Sequence, residues 1–158
     1  MTRRHLLSWL SFAGLAPRGA AAEAAPTTAP TFTLTDAQWK ARLTPAQYGV
    51  LRHEDTERPG SSPLNAEKRK GRYHCAGCDL PLFGSEMKFD SGTGWPSFYT
   101  ALPDALATRI DHTLLMARTE YHCVRCGGHQ GHVFDDGPKP TGKRYCNNGV
   151  ALTFKASA

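Results

Sequence analysis

The stretch that decides the fold is YHCAGC, residues 73–78, and it returns as YHCVRC, residues 121–126. Each copy puts a CxxC turn at the end of a short strand-like run, and forty-four residues separate the two turns. Four cysteine thiolates match the ligand set of a tetrahedral structural zinc site. The repeat therefore predicts a zinc ion that joins two distant hairpins. Its ligands would be Cys75, Cys78, Cys123 and Cys126.

Disulfide bonds are the alternative use of these four cysteines. An exported protein would permit them, although a disulfide closed within one CxxC turn is strained. We favour zinc, because a metal clip would also help a small domain with a modest core to fold.

Strand signals continue from Gly71 onward, where short apolar runs alternate with clusters of glycine, proline, aspartate and asparagine. Several runs carry β-branched or aromatic residues, and none is long enough for a core helix. The runs are 72–75, 82–83, 97–99, 107–110, 113–123, 132–134 and 150–154. Ahead of them, Thr35 with Gln38 and Thr44 with Gln47 fit capping boxes. The expected fold class is therefore mainly β, with two short helices at its N-terminal side.

The first 22 residues have the pattern of an export signal. Arg3 and Arg4 give a charged start, an apolar run extends from Leu6 to Ala16, and small residues at 20–22 offer a cleavage site. The paired arginines followed by leucines resemble a twin-arginine signal, which predicts a periplasmic or otherwise exported protein. A leader that is never cut is the alternative. The run is too short for a bilayer of about 30 Å, so no stable membrane span is expected.

Charge argues against a nucleic-acid partner. The chain has 158 residues and a formal net charge of +5, but the first 22 residues contain three arginines and no acid. The remainder carries 16 basic against 14 acidic side chains, which is too small an excess to indicate a polyanion. Residues 23–31 have the composition of a flexible linker, which leaves 32–158 as the folded domain.

The fifth cysteine, Cys146 in RYCNN, stands outside both CxxC pairs. A thiol acts as a nucleophile when nearby cations or donors lower its pKa. If this segment is a strand, Arg144 and Asn148 share a face with Cys146. The pattern indicates a catalytic thiol. A buried, inert thiol in the sheet is the alternative, and spacing alone does not decide between them.

Two other segments could carry chemistry. HQGHVF, residues 129–134, places His129 and His132 three positions apart in a glycine-rich turn, where they could donate protons or fix a bound water. GTGWPSF, residues 92–98, is a turn that would hold Trp95 rigidly at a surface. Structural histidines and a core tryptophan are the alternatives.

In combination, these motifs closely resemble the B-type methionine-R-sulfoxide reductases over Phe32 to Phe154. GTGWPSF, the two CxxC pairs, HQGHVFDDGPKPTG and RYCNN stand in that family's order. The resemblance implies two small antiparallel sheets, with a structural zinc site that joins the CxxC turns away from the active site. It also implies that Cys146 is the nucleophile and that Trp95 receives the substrate's S-methyl group.

The resemblance assigns further residues to the site. His129 and His132 match histidines near the sulfoxide oxygen, and Asn148 matches an asparagine of the catalytic group. Three more residues match positions that line the site: Phe134, Asp135 and Arg144.

The implied activity is the thiol-dependent reduction of methionine-R-sulfoxide, free or in oxidised proteins, through a sulfenic acid on Cys146. This is protein repair in an oxidative stress response. Many family members have a resolving cysteine where this chain has Thr93, so an outside reductant is expected, either a thioredoxin-like protein or a small thiol. Two other classes stay open. A non-catalytic zinc module would leave Cys146 without a role, and a thiol peroxidase or disulfide oxidoreductase would use it on other substrates.

Overall fold

The computed structural model describes residues 30–114 and 116–158. The predicted export signal and most of the predicted linker therefore lie outside the described residues. Two short helices come first, α1 (Asp36–Arg42) and α2 (Pro45–His53). Both begin with the predicted capping boxes, in which a threonine side chain and a glutamine three residues on satisfy each other's backbone N–H. No helix in the described ranges is long and apolar enough to cross a bilayer.

Nine strands and three single 3-10 turns follow in the described part of the chain. The strands are β1 (Gly71–Cys75), β2 (Pro81–Gly84), β3 (Lys88–Phe89), β4 (Ser97–Phe98), β5 (Leu106–Asp111), β6 (Arg118–Cys123), β7 (His129–Phe134), β8 (Arg144–Asn147) and β9 (Leu152–Ala156). The 3-10 turns are Pro63–Asn65, Ser85–Met87 and Gly149–Ala151.

The strands form two antiparallel sheets. One has three strands in the order β2-β1-β9, and the other has six in the order β3-β4-β8-β7-β6-β5. Every paired strand runs antiparallel to its neighbour. The predicted fold class, mainly β with two antiparallel sheets and short N-terminal helices, is confirmed.

In two of the predicted apolar runs, the strand begins later than the run does. The run 113–123 begins with the loop of the β5–β6 hairpin, because Asp111 Oδ1 accepts the N–H of Thr113 at 2.8 Å and closes a turn there. The run 150–154 begins with a 3-10 turn, because the Glu57 carboxylate binds the N–H groups of Gly149 and Val150. In both places a side-chain carboxylate accepts backbone N–H groups that a strand would have paired, from a nearby residue in the first case and from a distant one in the second.

Aromatic side chains form the core between the two sheets. Phe83 on β2 stacks on Phe98 of β4, with ring centroids 4.0 Å apart, and Tyr73 on β1 meets Phe98 edge-on at 5.0 Å. Tyr121 on β6 is fully buried, and its hydroxyl donates to Asn147 Oδ1 at 2.8 Å. This hydrogen bond fixes the end of β8, the strand that carries Cys146.

We predict that the Tyr121 hydroxyl contributes to stability and that the Tyr73 hydroxyl does not. Tyr121→Phe leaves the buried Asn147 oxygen without this donor, which should lower the free energy of unfolding by about 1–3 kcal/mol. Tyr73→Phe is the matched control, because its buried hydroxyl has no hydrogen-bond partner. Its removal should leave stability unchanged or raise it. Urea unfolding measures both, and equal losses would contradict the prediction.

Candidate active site and metal centre

The four CxxC sulfurs meet at one point between the two sheets. All four cysteines are buried, and their Sγ atoms lie within 4.8 Å of one another. The Cys75–Cys126 and Cys78–Cys123 sulfur distances are 3.6 Å and 3.5 Å. Both are far beyond a disulfide bond of about 2.05 Å. They are close to the ~3.8 Å edge of a tetrahedron with metal–sulfur bonds of about 2.3 Å. The donor set therefore fits a metal ion.

Two turns of the same form present these sulfurs. In each turn the carbonyl of the first cysteine, Cys75 or Cys123, accepts the N–H of the residue four positions on at 2.8 Å. Those residues are Asp79 and Gly127, with left-handed φ values of 65° and 68°. Aspartate is one of the few side chains that tolerate this conformation, so the first turn works without a glycine there. One turn joins β1 to β2 and the other joins β6 to β7, so the cluster connects hairpins from both sheets, as predicted.

Cys146 lies in the middle of the six-stranded sheet. Its strand, β8, runs between β4 and β7, and Cys146 is opposite Ser97 on one side and His132 on the other. A pocket of about 140 Å³ opens beside it. The pocket is lined by Thr56, Trp95, Arg118, Gly131, His132, Phe134, Cys146, Asn147 and Asn148. The strand register therefore brings the Cys146 thiol and one of the two predicted histidines to the same cavity.

Burial decides the protonation of the Cys146 thiol. Desolvation raises its pKa above the ordinary cysteine value, and this outweighs the Arg144 guanidinium and the Thr93 hydroxyl, which both lower it. The sequence predicted a lowered pKa, and the structure gives the opposite direction. Part of the reason is that Arg144 forms two hydrogen bonds of 2.8 Å with the carboxylate of Asp136, so its charge is already partnered. The thiol is therefore protonated near neutral pH.

His132 is the histidine that reaches the pocket. Its Nε2 lies 2.7 Å from Asp111 Oδ2, which also accepts a hydrogen bond of 2.6 Å from Arg118. Burial lowers the pKa of His132 more than Asp111 raises it. The Asp111 contact occupies Nε2, so Nδ1 is the ring nitrogen left for a ligand. His132 is thus a neutral imidazole held in one orientation, directly opposite the protonated Cys146 thiol on the neighbouring strand.

His129 is buried and does not line the pocket. Its side chain is 2% exposed, and its Nδ1 lies 2.7 Å from Glu120 Oε1. The rings of His129 and His132 are 5.6 Å apart. Burial would raise the pKa of Glu120, but hydrogen bonds with His122 and His129 lower it to about 2. The ionised Glu120 carboxylate therefore holds His129 in place, outside the pocket that Cys146 lines.

Trp95 and Asn148 are held by the same loop, which precedes the sheets. The Trp95 indole N–H donates to the carbonyl of Glu57 at 3.0 Å, so the ring is fixed where it lines the pocket. Asn148 Oδ1 accepts the Glu57 N–H at 3.0 Å, and its amide nitrogen donates to the Gln130 carbonyl at 3.1 Å. The Asn148 side chain therefore ties two backbone segments together at the pocket.

Two residues that the resemblance placed along the site lie beside it. Arg144 is absent from the pocket lining but packs against Phe134, with its guanidinium carbon 4.4 Å from the ring centroid. Asp135 is exposed, pairs with Lys143 and is absent from the pocket lining. The chain alternates sides after Phe134, which turns Asp135 outward.

Sequence reasoning missed Thr56, Arg118, Asp111 and Glu120. Thr56 belongs to a loop that shows only a polar composition. Arg118 and Glu120 are two residues apart on β6, so their position on one face could be predicted from the two-residue period of a strand. Which residues lie against that face could not be predicted. Asp111 joins the site only through pairing of β5 with β6.

Comparison with known proteins places the chain in a family. The SelR domain matches residues 43–156. A peptide methionine sulfoxide reductase MsrB of Agrobacterium fabrum is 50% identical over 129 residues, covering 81% of this chain and 96% of that protein. The MsrB of Pseudomonas putida is 56% identical over 119 residues, covering 75% and 90%. The MsrB of Methanosarcina barkeri is 54% identical over 122 residues, covering 77% and 86%. The chain therefore belongs to the SelR-domain family, the B-type peptide methionine sulfoxide reductases, as its motifs predicted.

Proposed function

We propose that the protein reduces methionine-R-sulfoxide to methionine with Cys146 as the nucleophile. One observation carries the proposal: Cys146 and His132 are cross-strand partners at a pocket whose walls include Trp95 and Phe134. The relatives named above are peptide methionine sulfoxide reductases of the MsrB type. Each type of methionine sulfoxide reductase takes one sulfoxide epimer.

The protonation of the site supports a specific first step. A sulfoxide sulfur becomes electrophilic when its oxygen is protonated. In the free protein Cys146 holds a proton and His132 does not, because burial raises the pKa of the thiol and lowers that of the imidazole. Transfer of this proton to His132 produces thiolate and imidazolium together. The thiolate attacks the sulfur, and the imidazolium gives the proton to the oxygen.

The products balance without another reactant. The attack joins the two sulfurs, and the hydroxyl then passes from the methionine sulfur to Cys146 Sγ as the bond between the sulfurs breaks. One thiol and one sulfoxide thus yield one methionine and one sulfenic acid on Cys146, which is the reversible first stage of thiol oxidation. Asp111 keeps His132 in position and stabilises the imidazolium that forms. Trp95 offers a flat apolar surface for the methyl group while His132 takes the oxygen. Only one epimer satisfies both contacts while its sulfur faces Cys146.

We propose zinc as the metal of the CxxC cluster, because four thiolates are its usual structural ligand set. Bound zinc would supply a fixed tetrahedral link between the two hairpins and no step of the reaction. None of its four ligands lines the pocket.

The reductant is proposed to come from outside the chain. Thr93 stands in the turn where a resolving cysteine would be, and the other four cysteines belong to the metal cluster. A thioredoxin-like protein or a small thiol would therefore reduce the sulfenic acid. We also propose that the first 22 residues direct export by the twin-arginine route. The exported protein would then repair oxidised proteins outside the cytoplasm.

Turnover of the two methionine sulfoxide epimers, with dithiothreitol as reductant, tests the proposed reaction. We expect the protein to consume the R epimer alone and Cys146→Ser to abolish this activity, because serine is a far poorer nucleophile. Metal content by mass spectrometry should remain at one zinc per chain in both, which controls for folding. Consumption of the S epimer, or activity in Cys146→Ser, would contradict the proposal.

The pH dependence tests the proton pair. The single-turnover rate should form a plateau between the lowered pKa of His132 and the raised pKa of Cys146. Below the plateau His132 already carries a proton, and above it neither group holds one for the oxygen.

Asp111→Asn sharpens this test. Asp111 raises the pKa of His132, so its removal should move the acid limb of the profile to lower pH. An acid limb that stays in place or moves upward would contradict the assignment of His132 as the proton donor.

A further inference from the structure

Cys146 has a different kind of side chain opposite it on each neighbouring strand. Its partner on β7 is His132, and its partner on β4 is Ser97. The proposed reaction uses the His132 side and gives no role to the other. Ser97 is fully buried, and a hydroxyl group in a protein interior needs hydrogen-bond partners. The partners of Ser97 lead back to Cys146.

Ser97 is one end of a chain of three hydroxyl groups. Its Oγ lies 2.7 Å from Ser91 Oγ, and Ser91 Oγ lies 2.8 Å from Thr93 Oγ1. Thr93 is the other end, and its hydroxyl is close enough to Cys146 to act on the pKa of the thiol. We call Ser97, Ser91 and Thr93 the hydroxyl chain.

The direction of the hydroxyl chain is set at Ser97. Its Oγ also lies 3.1 Å from the Trp95 carbonyl oxygen, and a carbonyl can only accept, so Ser97 donates its proton there. Each hydroxyl group has a single proton. Ser97 must then accept from Ser91, and Ser91 must accept from Thr93. In this order Thr93 has no proton left for Cys146 and can only accept the S–H group.

The opposite order suits a thiolate. A thiolate sulfur has no proton to donate, so Thr93 would have to donate to it. That donation is the contact through which Thr93 lowers the pKa of Cys146. It requires all three hydroxyls to turn, so that Ser97 gives its proton to Ser91 and leaves the Trp95 carbonyl. The thiolate therefore gains one hydrogen bond while the carbonyl loses one.

We propose that Ser91 and Ser97 are positioning residues that direct the Thr93 hydroxyl. In the resting protein Thr93 accepts the S–H group of Cys146. Once this proton has moved to His132, the hydroxyl chain turns and Thr93 donates to the sulfur. The inference rests on the proposed function, because it describes the same thiol in the same proton transfer.

Charged and titratable groups also surround Cys146. Arg144 and Asp136 act on the pKa of the thiol, the pKa of Tyr121 responds to Cys146, and His132 and Arg118 line the same pocket. In the part of the chain that the structure describes, none of them hydrogen-bonds to the hydroxyl chain. Substitutions within the hydroxyl chain therefore leave all of these groups in place.

The pH dependence of Cys146 alkylation tests the hydroxyl chain without any sulfoxide. Iodoacetamide reacts with the thiolate, so the rate of modification of the Cys146 peptide, followed by mass spectrometry, reports the pKa of the thiol. We expect Ser97→Ala and Ser91→Ala each to lower this pKa by about one unit, the order of one hydrogen bond. In both variants, turning Thr93 towards the sulfur no longer breaks the Ser97–Trp95 hydrogen bond.

Thr93→Val shows whether the serines act through Thr93. In that background Ser97→Ala should leave the pKa of Cys146 where Thr93→Val alone puts it. Thr93→Ser keeps the hydroxyl and should match the unmodified protein. Ser62→Ala is the matched control for loss of a buried serine hydroxyl, because Ser62 Oγ accepts the Leu64 N–H outside the hydroxyl chain. It should leave the pKa of Cys146 unchanged.

Two outcomes would overturn the inference. One is a pKa of Cys146 that stays in place or rises in the alanine variants. The other is a fall of equal size in the Thr93→Val background, since the serine would then act on Cys146 directly. Ser91 is only half-buried, so Ser91→Ala keeps the test open if Ser97→Ala does not fold. Neither outcome bears on the proposed function, which absence of methionine-R-sulfoxide turnover would overturn instead.

Discussion

The meeting of four cysteine side chains between two sheets is the constraint on which the rest of the molecule depends. One pair comes from the β1–β2 turn and the other from the β6–β7 turn. Gln130, fully buried just after the second pair, links the cluster to the pocket. Its side-chain amide nitrogen donates to Cys75 Sγ at 3.5 Å, and its backbone carbonyl accepts the backbone N–H of Asn148 at 2.8 Å. A domain this small gains much of its order from such a clip.

Burial keeps the Cys146 thiol protonated, because desolvation raises its pKa. A thiolate is the form that reacts with oxidants, so a thiol kept protonated by desolvation is less open to peroxide between turnovers. A general thiol peroxidase would need the thiolate in its resting state. The raised pKa of Cys146, together with a neutral His132 held by Asp111, therefore suits a substrate that accepts a proton as it is attacked. This favours sulfoxide reduction over the peroxidase alternative.

Features formed by residues close in the chain could be predicted from the sequence, whereas contacts between residues on different strands could not. Capping boxes and the CxxC turns depend on residues close in the chain, so they could be predicted, whereas the Glu57 carbonyl that holds the Trp95 indole could not. Glu120 holds His129 from the neighbouring strand β6, and Asp111 holds His132 from β5, one strand further on, so only the register reveals them. The direction of the Cys146 pKa was also beyond the sequence, because it depends on how desolvation compares with a partnered Arg144.

The proposed division between four clustered thiols and one nucleophilic thiol, Cys146, is tested most directly by mass spectrometry after a single turnover. The protein would be mixed with methionine-R-sulfoxide and dimedone in the absence of any reductant. We expect one methionine per chain and one dimedone adduct, on Cys146, with the CxxC cysteines unmodified. A disulfide between Cys146 and any of those four cysteines would contradict this division.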